Sequence, residues 1–293
     1  MEELNGILVV NKPKNYTSHD VVAKVKKILN VKKVGHTGTL DPDATGVLPV
    51  CVGRGTKLVE LLTANDKQYI AGIKLGIVTD TQDMSGEILE EKNADVDAEA
   101  LKDVIESFIG ESEQIPPMYS AVRVNGERLY KLAREGKTVE REARKIFIQG
   151  IKLNSYDKEN NEFFITVDCS KGTYIRTLSH DIGQKLGCGA AMSSLKRTKS
   201  GRFEISDSFT LDEIRTKAEN NDFSFICPIS EVMTEFEKII LAERNADKLR
   251  YGIPFNVDGL EIGKKYRLYD EKKEFLAIGE KIPEKVKILK TFF

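Results

Sequence analysis

The sequence predicts an α+β fold. Helix-like and strand-like periodicities intermix along the chain without the strict strand–helix–strand alternation of a doubly wound sheet. From about residue 235 onward, short β-like runs are separated by turn residues, as in a small β domain. At 293 residues with 40% hydrophobic composition, the chain is long enough to bury a substantial core. We therefore expect a large domain over residues 1–232 and a small β domain over residues 233–293.

The first elements are a strand and a helix. Residues 6–10 are apolar, and Lys12-Pro13 ends this run. Thr17 stands three residues before Asp20, which is the spacing of a capping box and predicts the start of a helix. Apolar residues then recur at helical spacing, with lysines between them: Val21, Val25, Ile28 and Leu29. The sequence predicts an amphipathic helix that packs on a sheet.

Later segments follow the same two patterns. Residues 69–77 and 163–167 have the β-branched and alternating character of strands, and residues 98–109 carry apolar side chains on one helical face. Five short runs near the end predict the strands of the small domain: 239–241, 253–257, 266–269, 275–278 and 286–292.

The net charge of −1 hides an uneven distribution. Residues 1–60 and 153–202 each carry three more basic than acidic groups, and residues 117–152 carry five more, whereas residues 61–116 carry nine more acidic groups. The acidic side chains are dense between Asp80 and Glu113. This distribution fits a polyanion on one face and water on another. Ordinary surface heterogeneity would give the same counts.

Residues 117–147 are basic and contain turn signals at Asn125-Gly126 and Glu135-Gly136. A solvated basic helix is one interpretation, and a phosphate-binding segment with glycine bends is another. The cations of this segment are Arg123, Arg128, Lys131, Arg134, Lys137, Arg141, Arg144 and Lys145.

One carboxylate stands out in the turn-rich sequence GHTGTLDPDATGVLP, residues 35–49. Pro42 disfavours the α region for Asp41, and nearby glycines permit close backbone approach. An apolar strand follows at once, so Asp41 is expected at the rim of a rigid sheet, where functional loops are commonly held. A plain turn is the alternative interpretation.

Five blocks of this sequence, in order and spacing, resemble the bacterial TruB family of tRNA pseudouridine synthases. The resemblance covers residues from about 5 to 230 and implies the pseudouridine synthase catalytic fold, a mixed and largely antiparallel sheet flanked by helices, with a PUA-like C-terminal domain. The blocks are Asn11-Lys12-Pro13, HTGTLDPDATGVLP, Lys67-Gln68-Tyr69, CSKGTYIRTL from Cys169 to Leu178, and Leu195-Lys196-Arg197-Thr198.

The resemblance implies a role for individual residues. Asp41 matches the catalytic nucleophile. Arg176 matches the arginine that pairs with it, through two parallel hydrogen bonds of a guanidinium fork. Tyr69 matches the residue that stacks on the uracil and assists removal of the C5 proton. The remaining matches are substrate contacts: His36 near the flipped nucleotide, Tyr174 and Leu195 at the pocket wall, and the phosphate-binding candidates Lys12, Lys57 and Lys171.

Each of these residues also has a plainer interpretation. Tyr69 and Tyr174 in strands, and Leu195 in a helix-like segment, would on sequence alone more often belong to the core. His36 would make a local hydrogen bond beside Thr37. The three lysines would be solvated, and Pro13 would buttress the loop that carries Asp41.

The activity implied by the resemblance is the isomerisation of uridine 55 in the T loop of tRNA. The bond from ribose C1′ to uracil N1 breaks and a bond from C1′ to C5 forms, after the base has been flipped out of its stack. Asp41 attacks uracil C6, attacks ribose C1′ or assists a glycal path. The basic segment 117–147 would close over the RNA.

Several absences accompany these expectations. The reaction is redox neutral and involves no phosphoryl transfer, so no cofactor or metal is expected. The sequence has no G-x-G-x-x-G motif and no P-loop, and its cysteines lack metal-site spacing. No apolar run of about 18 residues and no signal peptide are found. We expect a cytoplasmic monomer that needs no obligatory protein partner.

Three rival functions remain open at this point. An RNA chaperone of tRNA folding would retain the pocket with little or no catalysis. A guide-dependent pseudouridine synthase shares these motifs. An aspartate-based phosphohydrolase would need a metal cluster.

Overall fold

The structure, a computed structural model, describes residues 4–293. This part of the chain contains seventeen strands. They are β1 (Gly6–Lys12), β2 (Val34–His36), β3 (Thr45–Val52), β4 (Lys67–Leu75), β5 (Ile77–Thr79), β6 (Ile88–Glu91), β7 (Gly110–Gln114), β8 (Arg123–Val124), β9 (Glu127–Arg128), β10 (Arg144–Asp157), β11 (Glu162–Cys169), β12 (Ala190–Ser200), β13 (Phe203–Glu204), β14 (Glu237–Ile240), β15 (Lys265–Tyr269), β16 (Phe275–Ile282) and β17 (Lys285–Thr291).

Seven α-helices connect or flank the strands of the described residues. They are α1 (Ser18–Ile28), α2 (Val59–Thr63), α3 (Ala98–Glu106), α4 (Leu129–Arg134), α5 (Ile175–Lys185), α6 (Leu211–Glu219) and α7 (Glu243–Arg250). Short 3₁₀ helices span Gly53–Leu58, Ile205–Asp207 and Ile229–Glu231. No helix in residues 4–293 has the length and apolar character needed to cross a membrane.

A nine-stranded central sheet forms the body of the molecule. Its main path has the order β1-β3-β12-β4-β11-β10-β7, with β2 paired to β3 and β13 paired to β12. The pair β3–β12 is parallel, and the other pairs of this sheet in the described residues are antiparallel. The predicted α+β class and the mixed, largely antiparallel sheet are confirmed.

The parallel pair brings two distant segments together. Gly46 lies opposite Arg197 across β3 and β12 and adopts a φ of +99°. A Cβ atom at Gly46 would lie 2.2 Å from the carbonyl oxygen of Arg197. Only glycine tolerates both this φ and this close backbone approach. The loop that carries Asp41 is therefore held directly against β12.

The predicted helix starts agree with the structure. Thr17 caps α1 with a complete capping box, because its side chain accepts from the amide of Asp20 and the Asp20 side chain accepts from the Thr17 amide. The predicted helix at 98–109 is α3, which begins at Ala98 but ends three residues early, at Glu106. The predicted strands at 69–77 and 163–167 correspond to β4 and β11.

The C-terminal sheet has the order β14-β15-β16-β17 and confirms the small β domain. The run predicted at 253–257 is wrong, because these residues form an irregular connection between α7 and β15. The helix α7 was not predicted. Of its eight residues only Ala246 and Leu249 are buried, so its apolar face is too narrow to stand out in the sequence.

A shared apolar cluster joins the two sheets. Ile7 and Val9 of β1 pack with Ile278 of β16 and with Phe292, which follows β17. Nη1 of Arg54 also donates to the carbonyl of Phe292 at 2.7 Å. The C-terminal sheet is thus packed against the central sheet through side chains that neither sheet could bury alone.

The basic segment contains a hairpin, β8–β9, followed by the short helix α4. The sequence predicted that the whole segment 117–147 is an insertion. Residues 144–147 instead belong to the central sheet, since they form the start of β10 and pair with β7. The part that lies outside the central sheet is therefore shorter than the predicted segment 117–147.

Candidate active site

Asp41 lies in the loop between β2 and β3. Its carbonyl accepts from the amide of Ala44 at 3.1 Å, and the carbonyl of Pro42 accepts from the amide of Asn15 at 2.9 Å. These bonds fix a tight turn at the sheet edge. The Asp41 side chain is 42% exposed, so the carboxylate remains reachable from solvent.

Arg176 is the direct partner of Asp41. It lies in the first turn of α5, its side chain is only 7% exposed, and its Nε is 3.2 Å from Oδ2 of Asp41. A guanidinium held in one place by burial can orient the carboxylate and stabilise its charged form. The two residues that the sequence places 135 positions apart do meet, as the resemblance implies.

The contact is not the two-bond fork expected from the sequence. The other nitrogens of Arg176 are turned elsewhere: Nη1 is 3.5 Å from Oδ2 of Asp83, and Nη2 donates to the carbonyl of Tyr119 at 2.8 Å. The expectation of two parallel hydrogen bonds to Asp41 is therefore wrong. Arg176 instead bridges two carboxylates and ties the basic segment to the site through Tyr119.

Asp83 also lies at this site, and the sequence did not single it out. It comes from the acidic stretch that was assigned to a water-facing surface, yet its side chain is 17% exposed and faces Arg176. Its Oδ1 accepts from Thr81 and Ser85, which fixes the carboxylate. No local pattern distinguishes Asp83 from its neighbours Asp80 and Glu87, so only the fold reveals it.

The surroundings of Asp41 raise the pKa of its carboxyl group above the usual 3.8. Desolvation is the main cause, and the charges of Asp83 and Asp43 act in the same direction, whereas Arg176 and Lys12 lower the pKa. A carboxylate that is poorly solvated but still paired is a better nucleophile than one in bulk water.

Tyr69 lies on β4 and is buried. Burial raises the pKa of its phenol. Arg197, its cross-strand partner on β12, is fully buried and donates to the carbonyls of Val47 and Gly38 at 2.7 and 3.1 Å. Arg197 therefore connects the strand of Tyr69 with both ends of the loop that carries Asp41.

Two family models match this chain. Residues 26–175 match the family model described as TruB family pseudouridylate synthase, N-terminal domain, and residues 176–240 match the tRNA pseudouridylate synthase B C-terminal domain. A protein from Clostridium tetani named tRNA pseudouridine synthase B is 46% identical over 292 residues, covering 98% of this chain and 99% of that protein. The protein of the same name from Bacillus subtilis is 45% identical over 297 residues, covering 98% and 96%.

The chain belongs to the TruB family of pseudouridylate synthases. The predicted resemblance and the prediction of an enzyme, an isomerase, are confirmed.

Solved structures agree with this TruB-family assignment. The chain superimposes with a TM-score of 0.75 and 27% identity on a chain of a Cbf5-Nop10-Gar1 complex, covering 98% of this chain and 85% of that one. A chain of an H/ACA RNP bound to a substrate RNA containing 2′-deoxyuridine gives a TM-score of 0.74 with 26% identity, and the same coverage. The pseudouridine synthase fold expected from the sequence is confirmed.

The residues expected to border the flipped base lie on separate elements of this TruB-family chain. Tyr174 precedes α5. Its amide donates to Oε1 of Gln114 at 2.8 Å, and its carbonyl accepts from Nε2 of Gln114 at 3.0 Å. Leu195 lies on the strand β12 and is half-buried, so its assignment to a helix-like segment is wrong. His36 ends β2, and its Nδ1 accepts from the amide of Gly38 at 3.3 Å, the local bond of its plainer interpretation.

Lys12 does not bind phosphate, which corrects the sequence prediction. Its side chain is fully buried, and Nζ donates to the carbonyls of Pro13, Tyr16 and Pro42 at 2.9, 2.5 and 3.0 Å. Burial lowers the pKa of Lys12 to about 8. Lys12 thereby ties the segment between β1 and α1 to Pro42, the residue after Asp41, and holds the loop in place.

The other two lysines are exposed. Nζ of Lys57 donates to the carbonyl of Thr291 at 2.7 Å and so links the 3₁₀ helix after β3 to the C-terminal sheet. Lys171 lies in the turn before α5, beside Gly172, which has a φ of +84°. Among residues 4–293 there is no cluster of three or more His, Cys, Asp or Glu side chains suited to a metal ion.

Proposed function

We propose that this chain isomerises uridine to pseudouridine at position 55 in the T loop of tRNA, with Asp41 as the nucleophile. One observation carries the proposal. A carboxylate that is 42% exposed is held by a buried arginine at 3.2 Å, at the edge of the central sheet of a TruB-family fold. Relatives that align with 98% of the chain are named tRNA pseudouridine synthase B, which supports tRNA as the substrate.

The chemistry needs only this chain's residues. In the two covalent routes Asp41 bonds to ribose C1′ or uracil C6, the bond from C1′ to N1 breaks, the base turns, and C1′ joins C5 with release of the bond to Asp41. The C5 proton then passes to water and N1 takes up a proton. Tyr69, whose strand β4 is joined through Arg197 to the loop that carries Asp41, would assist the removal of the C5 proton. In each route open to Asp41 the same carboxylate reacts, so one substitution tests them all.

The rest of the proposal concerns binding. His36, Tyr174 and Leu195 would border the flipped base, and Lys57 and Lys171 would contact phosphate. The hairpin β8–β9 and α4 would close over the RNA, which is supported by the bond from Arg176 to the Tyr119 carbonyl and by Arg128 and Arg134 around the Tyr130 ring. Residues 1–232 would form the catalytic domain and 233–293 the PUA-like domain.

The test measures tritium released from C5 of the target uridine. Asp41→Asn keeps the size of the side chain but removes the charge, so release should stop while tRNA affinity stays within roughly threefold. Arg176→Lys keeps a positive charge but cannot reach Asp41, Asp83 and the Tyr119 carbonyl together, and it should also lose nearly all activity. Normal turnover by Asp41→Asn would remove Asp41 from the mechanism.

A guide-dependent synthase is the second candidate, because the similar solved structures include a Cbf5-Nop10-Gar1 complex and an H/ACA RNP bound to a substrate RNA. We propose instead a cytoplasmic enzyme that acts as a monomer without a partner protein. Purified protein should release tritium from a bare T-arm hairpin. If release required added protein or guide RNA, the second candidate would be correct. If the protein were mainly an RNA chaperone, the Asp41→Ala variant would promote tRNA folding as well as the wild type does, even though it released no tritium.

A further inference from the structure

An open groove runs along one face of α1, outside the active site described above. It has a volume of about 500 Å³. Its walls come from α1, from the loop that follows this helix and from β2. The residues that matter for its chemistry are His19, Lys26, Lys32, Lys33, Val34 and Thr56.

The segment that forms most of this groove is rich in lysine. Residues 21–40 contain five lysines and no acidic residue. Lys26, Lys32 and Lys33 are exposed, and none of them has a carboxylate within 4.0 Å in the described part of the chain. Some exposed lysines elsewhere have such a partner, as Lys92 has in Glu90. Lysines left unpaired in a concave surface attract a polyanion.

The groove is continuous with the proposed substrate site. Val34 in its wall belongs to the same short strand, β2, as His36. The ring of His19, which also lines the groove, meets the ring of His36 edge-on with 5.4 Å between centroids. A nucleic acid strand that passed His36 would therefore meet this groove next.

We propose that the groove binds backbone phosphates of the paired stem of the T arm, through Lys26, Lys32 and Lys33. The inference rests on the proposed function, because it takes His36 as a neighbour of the flipped uridine. The partner is RNA, since phosphates of the same hairpin are the polyanion nearest to His36. Point charges on flexible stems suit backbone phosphates, which carry no sequence information.

The face of α1 that borders α6 provides a matched control for the groove lysines. Lys24 and Lys27 line a separate depression with Arg215 and Glu219 of α6. These two lysines belong to the same helix and are also exposed, but they line the depression shared with α6 and not the groove beside His19. Removing them changes the net charge as much as removing two lysines of the groove.

The experiment compares two double variants in the full chain, each combined with Asp41→Asn to prevent turnover. The RNA is a T-arm hairpin, and its affinity is measured at several salt concentrations. Lys26→Ala/Lys33→Ala should weaken binding roughly 10- to 50-fold at 0.1 M salt. The slope of log affinity against log salt should become shallower by about 1.5, because two phosphate contacts are lost. Lys24→Ala/Lys27→Ala should weaken binding by no more than about threefold.

Three results would overturn the inference: equal losses in both double variants, no loss in either, or a loss seen with full-length tRNA but not with the hairpin. Tritium release by the wild-type protein is measured in parallel. If the wild type releases tritium and the two variants bind alike, the groove inference fails while the proposed function stands. If the wild type releases none from tRNA, the proposed function itself fails.

Discussion

Arg176 stands between two carboxylates, and this sets the electrostatics of the site. Asp41 is 3.2 Å from its Nε and Asp83 is 3.5 Å from its Nη1. The guanidinium lowers the pKa of Asp41, whereas the charge of Asp83 raises it. Asp83 therefore has two opposed effects: it helps to orient the arginine that pairs with Asp41, and it makes the Asp41 carboxyl group harder to ionise.

The pH profile of single-turnover rates should reveal both effects. The carboxylate is the reactive form of Asp41, so activity is present above its pKa and lost as the pH falls through it. Because that pKa is raised, the acid limb of the wild type should lie above pH 3.8. Asp83→Asn should move the limb to lower pH and, since Arg176 loses a charged partner, lower the plateau roughly 10- to 100-fold.

Asp80 is the control for this prediction, because it lies in the same segment but contacts Tyr119 and the amide of Glu87. Asp80→Asn should leave the position of the acid limb unchanged. An unshifted limb in Asp83→Asn would show that the charge of Asp83 does not act on Asp41.

The burial of single side chains is one property that the sequence could not predict. Lys12 and Lys171 look alike in the sequence, yet one is fully buried among carbonyls and the other is exposed. Burial depends on segments far along the chain, such as Pro42 beside Lys12. Asp41, by contrast, was predicted, because the turn chemistry and the motif that distinguish it are local.

Among the elements, those set by local signals were the best predicted. The capping box at Thr17 fixed the start of α1, and alternating apolar residues located β4 and β11. The helix α7 and the irregular residues 253–257 were missed or misassigned because packing against the C-terminal sheet, and not local pattern, decides their structure. The meeting of Asp41 and Arg176 was expected only through family resemblance.

The junction of β3 and β12 depends on Gly46. Gly46→Ala places a methyl group 2.2 Å from the Arg197 carbonyl and forces a non-glycine residue to a φ of +99°. Together these effects should lower the free energy of unfolding by roughly 3 kcal/mol, measured from denaturant titrations. Gly150→Ala on β10 is the control, since its Cβ would meet nothing within 4 Å, and it should change stability by less than about 1 kcal/mol. Equal stabilities of the two variants would contradict this account of the junction.

At the scale of the whole molecule, the two sheets share one apolar cluster, and Phe292 is part of it. This side chain is 5% exposed and stacks on Phe275 at 5.0 Å between centroids. Phe292→Ala should cost about 3 to 5 kcal/mol of the free energy of unfolding.

The neighbouring Phe293 is 43% exposed, and Phe293→Ala should cost less than about 0.5 kcal/mol. Thermal unfolding followed by calorimetry tests both variants. If Phe292→Ala destabilised only the C-terminal sheet, a separate early transition would appear, and the shared cluster would not couple the two sheets.

The pairing of β3 with β12 has a consequence for biosynthesis. Nε of Arg197 bonds to the carbonyl of Val47, 150 residues earlier in the chain. Contacts of such high sequence separation form slowly, and synthesis proceeds from the N-terminus at about 5 to 20 residues per second. A nascent chain therefore carries Asp41 for about 8 to 30 seconds before the strand that holds its loop has been translated. The chain should become active only late in translation, and a chain stalled on the ribosome before residue 197 should be inactive.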